Sequence, residues 1–432
     1  MQNTTDDEQM LQAMTQRSLN TMLDALGLPW VTLLLLAVMS SLIYTGPALW
    51  QTWTHSGPTL LTEGTGAGDG FVAGHDFVAF YSASQLVLAG EAVQVYDETA
   101  LTRAQHELVG SSSVGYLAFM YPPTYLLMIS PLSELPYFTS LAFWLLLPLA
   151  GLLYVLRRAG TVPFPMLLLV IAAPSVGQAL FAGQNGLLFA MLLGGGFLLL
   201  GNRPIAAGIL LGLATAKPQL AILIFPALLA GRQWAALAIT ASILLSAIGL
   251  ATFLFGAGIW ETYASIPAQT REWLAAGRLP WERMPTVYAA ARMTGLGDAA
   301  ATAVQAVAGV ATLATVCWIW WRGSSPALLS AAVLAGAPLT TPFLYDYDLP
   351  FMVVALALYI KEANAKGWHA WDKPLLLIVW IQPVWWWTLS ATLWHVSIAP
   401  LVYAAFFTAV VGRALATTGS RSRLQDKGAA IP

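Results

Sequence analysis

Long apolar stretches constrain the fold of this chain more than any other feature of its sequence. The stretches "VTLLLLAVMSSLIY" (31–44) and "GLLFAMLLGGGFLLL" (186–200) contain no charged residue. Strands of outer-membrane barrels alternate apolar and polar residues, whereas a membrane-spanning helix is apolar throughout. Only 9% of the 432 residues are charged, against about a quarter in soluble domains. The sequence therefore predicts an all-α, polytopic membrane protein.

Apolar length predicts about 12 transmembrane helices in a single domain over residues 30–413. The predicted crossings are 30–50, one that ends at Arg157–Arg158, 163–180, 186–201, 204–216, 219–230, 235–256, 299–321, 326–340, 349–362, 374–394 and 397–413. Two long loops, 51–120 and 257–298, interrupt the series. Residues 122–136 contain Pro131 and Pro136 and either span the membrane or lie at its interface.

The positions of the basic residues orient these crossings, because lysine and arginine concentrate in cytoplasmic loops. With the N-terminus inside, nearly all basic positions between crossings fall on the inner side: Arg157, Arg158, Arg203, Arg232, Arg322, Lys361, Lys366, Lys373, Arg413 and the tail "RSRLQDK". We therefore expect a multi-pass protein of a bacterial inner (cytoplasmic) membrane. Its segments 1–29 and 414–432 are expected to be cytoplasmic, and the two long loops periplasmic.

The same topology gathers the remaining polar residues at the outer face, where six separate segments converge. The candidate site residues there are Asp76 as a catalytic base and, for substrate binding, His75, Tyr81, Tyr121, Gln184, Asn185, Lys217, Arg271, Tyr345, Asp346 and Asp348. Ionisable groups at membrane depth are costly and are usually functional. We therefore expect the active site at this face, formed by loops and broken helices.

Each of these residues also has an ordinary structural interpretation. Asp76 is either a general base or the N-cap of a loop helix over "FVAFYSAS". Lys217 lies on the side of the membrane where lysine is not expected, and it either binds an anion such as a lipid phosphate or pairs with a protein carboxylate. Gln184 and Asn185 bind sugar hydroxyls or cap the helix that follows them.

Cofactors and other partners are constrained by what the sequence contains. Asp346 and Asp348 have a spacing that suits a divalent ion, but two carboxylates are too few for an all-protein site, so we expect no metal and no other cofactor. The single cysteine, Cys317, allows no disulfide within the chain. The sequence has no basic block for nucleic acid and no Gly-rich phosphate loop for a nucleotide.

Five segments in this order resemble glycosyltransferase family 87, the polyprenol-phosphate-mannose-dependent α-1,2-mannosyltransferase-like proteins. They are "HDFVAFYSASQLVLAGEAVQVYD", "YPPTYLLMISPLSELP", "GQNGLLFAMLL", "AAGILLGLATAKPQLAILIFPALL" and "TPFLYDYDLP", and the resemblance covers roughly residues 70–360. It implies the GT-C fold, a membrane bundle with its active site at the outer face. Asp76 matches the family's first-loop aspartate, the catalytic base, and Lys217 matches its Lys-Pro motif. The late loop departs, since Tyr345–Asp348 stand where the lipid-mannoside mannosyltransferases have histidines.

The resemblance implies a hexosyltransferase that uses a polyprenyl-phosphate sugar donor. A mannose-like hexose would pass, with inversion, to a hydroxyl of a lipid or glycan acceptor at the periplasmic face. Membrane lipids are the other expected partners, and nucleic acid is not one. The alternative is a transporter or flippase of polyprenyl-linked sugars. Transporters commonly contain internal repeats, and we find none here that is convincing.

Overall fold

The structure is a computed structural model that describes residues 74–112, 115–158, 160, 167–389 and 396–428, together with 31, 32, 34–39 and 42. Segment 1–29, most of the predicted crossing 30–50 and residues 51–73 of the first loop lie outside the described residues. In the described part the secondary structure is helical and contains no strand. The predicted all-α fold class is thus confirmed.

Eighteen α-helices are numbered here in chain order. The first nine are α1 Phe77–Leu88, α2 Glu98–Val109, α3 Pro123–Ile129, α4 Tyr137–Arg158, α5 Leu167–Ile171, α6 Pro174–Ala182, α7 Gly186–Leu199, α8 Pro204–Ala214 and α9 Pro218–Ala221. The second nine are α10 Ile224–Ala230, α11 Trp234–Phe255, α12 Gly258–Ala275, α13 Val287–Met293, α14 Asp298–Arg322, α15 Pro326–Thr340, α16 Phe351–Lys366, α17 Asp372–Leu389 and α18 Ala399–Gly428. Short 3-10 turns lie at Ala92–Tyr96, Leu132–Glu134, Trp281–Arg283 and Asp346–Asp348.

Among the described residues, four helices are long and apolar enough to cross a membrane. They are α4, α11, α14 and the first part of α18 up to Ala416. Shorter apolar helices occupy several other predicted crossings, among them α7, α8 and α15. Apolar helices of this number and length indicate a membrane protein, and the total of about 12 crossings stays a prediction.

Proline determines where many of these helices begin. Pro123, Pro174, Pro204, Pro218 and Pro326 each stand in the first turn of a helix. Proline has no N–H to donate, and the first turn is where a helix needs none. Within the predicted crossing 163–180, the described residues form two helices rather than one. They are α5 and α6, separated before Pro174.

Glycines bring two of the helices unusually close together. On α8, a Cβ added at Gly208 would lie 2.8 Å from the Ala236 carbonyl oxygen of α11, and one at Gly212 would lie 3.2 Å from that of Thr240. Such contacts are too short for any residue other than glycine to fit without movement. Helix α8 ends at Ala214, three residues before Lys217, so this close packing lies next to the lysine.

Helices α15 and α16 pack against each other and are mostly buried, α15 over most of its length and α16 over Phe351–Tyr359. The segment between them, 341–350, carries the "YDYD" residues and is itself mostly buried. Helices α6 and α7 contact this segment, as does Lys217 just before α9. Gln184 joins the turn before α1 to this junction, which forms the candidate site.

Candidate active site

Asp76 lies in a tight turn immediately before α1. Gly74 adopts a left-handed backbone (φ +64°), and the Asp76 N–H donates to the carbonyl oxygen of Ala182 at 3.0 Å. The Asp76 side chain makes no capping bond to α1. Its Oδ1 lies 3.1 Å from Nδ1 of His75, and its Oδ2 accepts a hydrogen bond from Nε2 of Gln184 at 3.0 Å. The carboxylate is therefore directed toward Gln184 rather than toward its own helix.

The motif "GQNG" connects this turn to the "YDYD" segment. Gly183 has φ +72°, and a Cβ there would lie 2.8 Å from the Cα of Gly74. A Cβ on Gly186 would overlap the carbonyl oxygen of Tyr347. The two glycines let three backbone segments approach each other, with Gln184 and Asn185 between them. This approach explains why the motif contains glycine at both ends.

Lys217 and Asp348 form a buried ion pair at the centre of the site. Their side chains are 1% and 2% exposed. The Lys217 ammonium donates to Asp348 Oδ1 and, at 2.8 Å, to Asn185 Oδ1. It also lies 5.6 Å from the centre of the Tyr121 ring and 5.4 Å from that of Phe189. Of the two alternatives for Lys217, the structure therefore shows the protein carboxylate as its partner.

Stacked tyrosines complete this side of the site. The rings of Tyr121 and Tyr125 are stacked with centroids 4.3 Å apart. The Tyr121 hydroxyl donates to Gln184 Oε1 at 3.5 Å, and Asn185 Nδ2 donates to the Tyr125 hydroxyl at 2.9 Å. Gln184 and Asn185 are thus held by side-chain partners on both sides.

The carboxylates of "YDYD" are already paired on all four oxygens. Asp348 Oδ2 accepts from the N–H of Tyr345 at 3.1 Å, and its Oδ1 accepts from Lys217. Asp346 accepts from Arg283 through Nε at 3.1 Å and Nη2 at 2.8 Å, and from the N–H of Tyr347 at 2.8 Å. Among the described residues, no group of three or more His, Cys, Asp or Glu is placed to hold a metal ion.

Burial changes the proton affinities in this segment. It raises the pKa of Tyr345 above the ordinary value, so that the phenol stays protonated and can donate a hydrogen bond. It also raises the pKa of Asp346, while the Arg283 guanidinium opposes that change. The bidentate pair with Arg283 is what allows Asp346 to be charged in this location.

Two of the predicted substrate-binding residues have their contacts elsewhere. Arg271 forms a bidentate pair with Asp298, at 2.9 and 2.6 Å, and its Nη2 also donates to Thr302 at 3.0 Å. Tyr81 donates its hydroxyl to the carbonyl oxygen of Leu135 at 2.9 Å and packs on Tyr137. The structure connects His75, Asp76, Tyr121, Gln184, Asn185, Lys217, Tyr345, Asp346 and Asp348, and leaves these two outside that network.

Sequence reasoning missed three residues of this network. Arg283 was one of several charges in the second loop and had no feature that set it apart. Tyr125 could have been found, because it lies in the same segment as Tyr121, "YPPTYLLMISPLSELP". Gly186 has no feature beyond its place in the motif, and its contact with Tyr347 depends on a tertiary approach that no local pattern indicates.

These observations define an all-helical membrane protein with a buried polar network where several helix ends meet. The profile of glycosyltransferase family 87 matches residues 119–342, just over half of the chain. The chain therefore belongs to glycosyltransferase family 87 and is a glycosyltransferase. A transporter function alone would not explain its membership of this family. No curated protein and no solved structure matches it significantly. The matched range includes Gln184, Asn185 and Lys217, and Asp76 and Asp348 lie outside it.

Proposed function

We propose that this protein transfers a hexose from a polyprenyl-phosphate donor to an acceptor hydroxyl, with Asp76 as the general base. The observation that carries the proposal is the placement of the Asp76 carboxylate. It is 25% exposed, it does not cap its helix, and Gln184 fixes one of its oxygens. A base needs this combination of a fixed direction and access for a substrate.

In the proposed reaction the acceptor oxygen forms a bond to the anomeric carbon while the bond from that carbon to the phosphate oxygen breaks. The leaving phosphate takes the bonding electron pair, and Asp76 takes the acceptor proton. One carboxylate acting without a covalent intermediate gives inversion, by the same geometric logic as in glycosidases. A β-linked donor, mannose-like in our proposal, would give an α-linked product.

A lipid-linked donor suits a protein of this kind. The described helices expose large apolar side chains to their surroundings, for example Phe253 and Leu254 near the end of α11 and Val307 on α14. These surfaces fit a bilayer in which a polyprenyl chain can approach the site laterally. The acceptor would be a lipid or a glycan, and the site would face the periplasm of a bacterial inner membrane with both termini in the cytoplasm.

The proposal is tested with purified protein, a panel of polyprenyl-phosphate sugars and candidate acceptors. Asp76→Asn removes the base but keeps an oxygen that can accept from Gln184. We expect transfer to fall by roughly 10²- to 10⁴-fold. Equal product formation by Asp76→Asn and the wild type would show that Asp76 is not the base. If the wild type transfers no sugar from any donor in the panel, the proposed donor class is wrong.

A matched control accompanies this variant. His75→Gln removes the imidazole from Asp76 but leaves the base, and we expect only a modest loss of transfer activity.

A separate experiment with a chelator tests the expectation that no metal is needed. Because all four "YDYD" oxygens already accept hydrogen bonds, we expect activity to persist in excess chelator, and its loss there with recovery on adding Mg²⁺ or Mn²⁺ would reject the expectation.

A further inference from the structure

Arg283 differs from Lys217, the other cation of the site, in having a partly exposed side chain. Its side chain is 30% exposed, whereas that of its partner Asp346 is 7% exposed. A guanidinium has two edges that can each donate a pair of parallel hydrogen bonds. Asp346 takes the edge formed by Nε and Nη2. Among the described residues, Nη1 has no hydrogen-bond partner, so the edge formed by Nη1 and Nη2 is available.

The plane of this guanidinium is fixed by more than its carboxylate. The Arg283 carbon Cζ lies 5.9 Å from the ring centre of Tyr345 and 5.4 Å from that of Tyr347. Both rings are themselves stacked, with centroids 5.0 Å apart. Two aromatic rings and one bidentate carboxylate therefore hold the open edge in one direction, which lowers the entropy cost of binding a planar or tetrahedral anion.

Contacts within the site connect Arg283 to the candidate base. The Arg283 guanidinium lies over the Tyr347 ring, the Tyr347 carbonyl oxygen packs against Gly186, and Gln184, two residues before Gly186, donates to Asp76. A group bound at the open edge of Arg283 would thus lie in the same network as the carboxylate that accepts the proton. This is where the leaving group of the proposed transfer must be.

Lys217 has the opposite properties. Its side chain is 1% exposed, it donates to Asp348 and Asn185, and two aromatic rings enclose it. A phosphate could reach it only by displacing a protein partner. Its bonds instead connect the "GQNG" motif to the "YDYD" segment.

We propose that the open edge of Arg283 binds the anionic phosphate of the sugar donor and stabilises it as it leaves. Lys217 then acts as a positioning residue: it fixes Asn185 and Asp348 and does not contact the donor. Lys217 bonds to Asp348, which also accepts from the N–H of Tyr345, whereas Asp346 binds Arg283. Lys217 therefore influences the phosphate site only through the backbone of the "YDYD" segment. This inference rests on the proposed function and assigns its phosphate site to one residue.

The test measures binding separately from transfer. Citronellyl phosphate, a short prenyl phosphate, is titrated into purified wild type and Arg283→Gln, with citronellol as the uncharged probe. We expect Arg283→Gln to weaken phosphate binding by about ten- to a hundredfold, the range for a charge-assisted hydrogen bond. Citronellol should bind weakly and equally to both. Arg283→Lys should be intermediate, because it keeps the charge but loses the planar fork.

Two further variants test the specificity of the assignment. Arg278→Gln changes an exposed arginine of the same loop and should bind the phosphate as the wild type does. Arg271→Gln should also do so, since Nη1 and Nη2 of Arg271 already donate to Asp298 and Thr302. If Arg271→Gln weakens binding and Arg283→Gln does not, the assignment is overturned. If Arg283→Gln unfolds, Arg283→Lys and the comparison of phosphate with alcohol on the wild type still decide the question.

A phospholipid headgroup presents the same anionic chemistry, and the transfer assay distinguishes the two sources. In nanodiscs of phosphatidylcholine alone, Arg283→Gln should raise the KM for the sugar donor. If the donor KM is unchanged, and added phosphatidylglycerol inhibits the wild type but not Arg283→Gln, the site binds lipid and the inference fails. If Arg283→Gln loses citronellyl phosphate binding while the wild type transfers no sugar, the proposed function fails and the anion site stands.

Discussion

The ion pair of Lys217 with Asp348 has an energetic consequence that does not depend on any activity. Removing two charges from water costs several kcal/mol per ion, and their attraction offsets this cost only when both are present with their hydrogen bonds. Asn185 and the N–H of Tyr345 supply those bonds. Each charge therefore depends on the other.

We expect Lys217→Met to lower the free energy of unfolding by about 3–5 kcal/mol, because it leaves a buried carboxylate without its cation. Lys217→Met combined with Asp348→Leu should be much less destabilised than the sum of the two single variants. Thermal unfolding of all four proteins in one detergent measures this coupling. Strict additivity would contradict a direct pair between these two side chains.

At the scale of residues, the sequence predicted which residue types form the site better than it predicted which residues contact each other. The topology predicts that Asp76, Gln184, Asn185 and Lys217 converge at one face, and the structure connects them. Arg271 has no such distinction, because the arginines of the second loop all lie in the same amphipathic sequence pattern. Only tertiary contacts separate Arg283, which meets Asp346, from Arg271, which meets Asp298.

At the scale of elements, the "GQNG" segment before α7 determines how closely the helix approaches "YDYD". A Cβ on Gly186 would overlap the carbonyl oxygen of Tyr347 and lie 3.1 Å from Cδ of Pro350. A main-chain oxygen cannot rotate away as a flexible side chain can. The start of α7 and the 3-10 turn at Asp346–Asp348 would have to separate.

We therefore expect Gly186→Ala to destabilise the protein by about 1–3 kcal/mol, the usual cost of overpacking. We also expect it to lower the rate of sugar transfer in the protein that remains folded. The matched control is Gly249→Ala in α11, where an added Cβ meets nothing within 4 Å. Alanine in a helix interior is favoured over glycine, so this control should be neutral or slightly stabilising. Similar melting temperatures and rates for the two variants would exclude the close approach.

The sequence predicted the helical elements well because apolar runs and prolines act locally. It could not predict the break between α5 and α6, since a run of apolar residues suits one long helix or two short ones equally. It also could not predict that α18 continues to Gly428, past the point where hydrophobicity falls. The helix there continues through backbone hydrogen bonds, and its length is not set by the apolar run that crosses the membrane.

At the scale of the whole molecule, two buried polar clusters lie at opposite ends of the α15–α16 pair. One is the candidate site between the two helices. The other joins Asp372 to Arg413, with Tyr359 also donating to Asp372. Since α16 has 16 residues, the ends are about 24 Å apart at 1.5 Å per residue. That separation is comparable with the apolar part of a bilayer.

The end with Arg413 also carries Lys361, Lys366 and Lys373, and the distribution of basic residues predicts that this end is cytoplasmic. The site would then face the other side. This orientation can be tested with single cysteines in a background where Cys317, the one native cysteine, is replaced by alanine. The positions must be exposed and free of any role in the site.

We expect a membrane-impermeant maleimide added to intact cells to label Glu107→Cys and Ala276→Cys, in the first and second loops. Ala365→Cys, at the end of α16, should react only after the cells are permeabilised. All three positions are exposed, so a difference in labelling reports the side of the membrane rather than burial. Labelling of Ala365→Cys alone in intact cells would place the polar network at the cytoplasmic face. A donor synthesised in the cytoplasm would then reach the site without crossing the membrane. The proposed function would lose its reason for using a polyprenyl carrier.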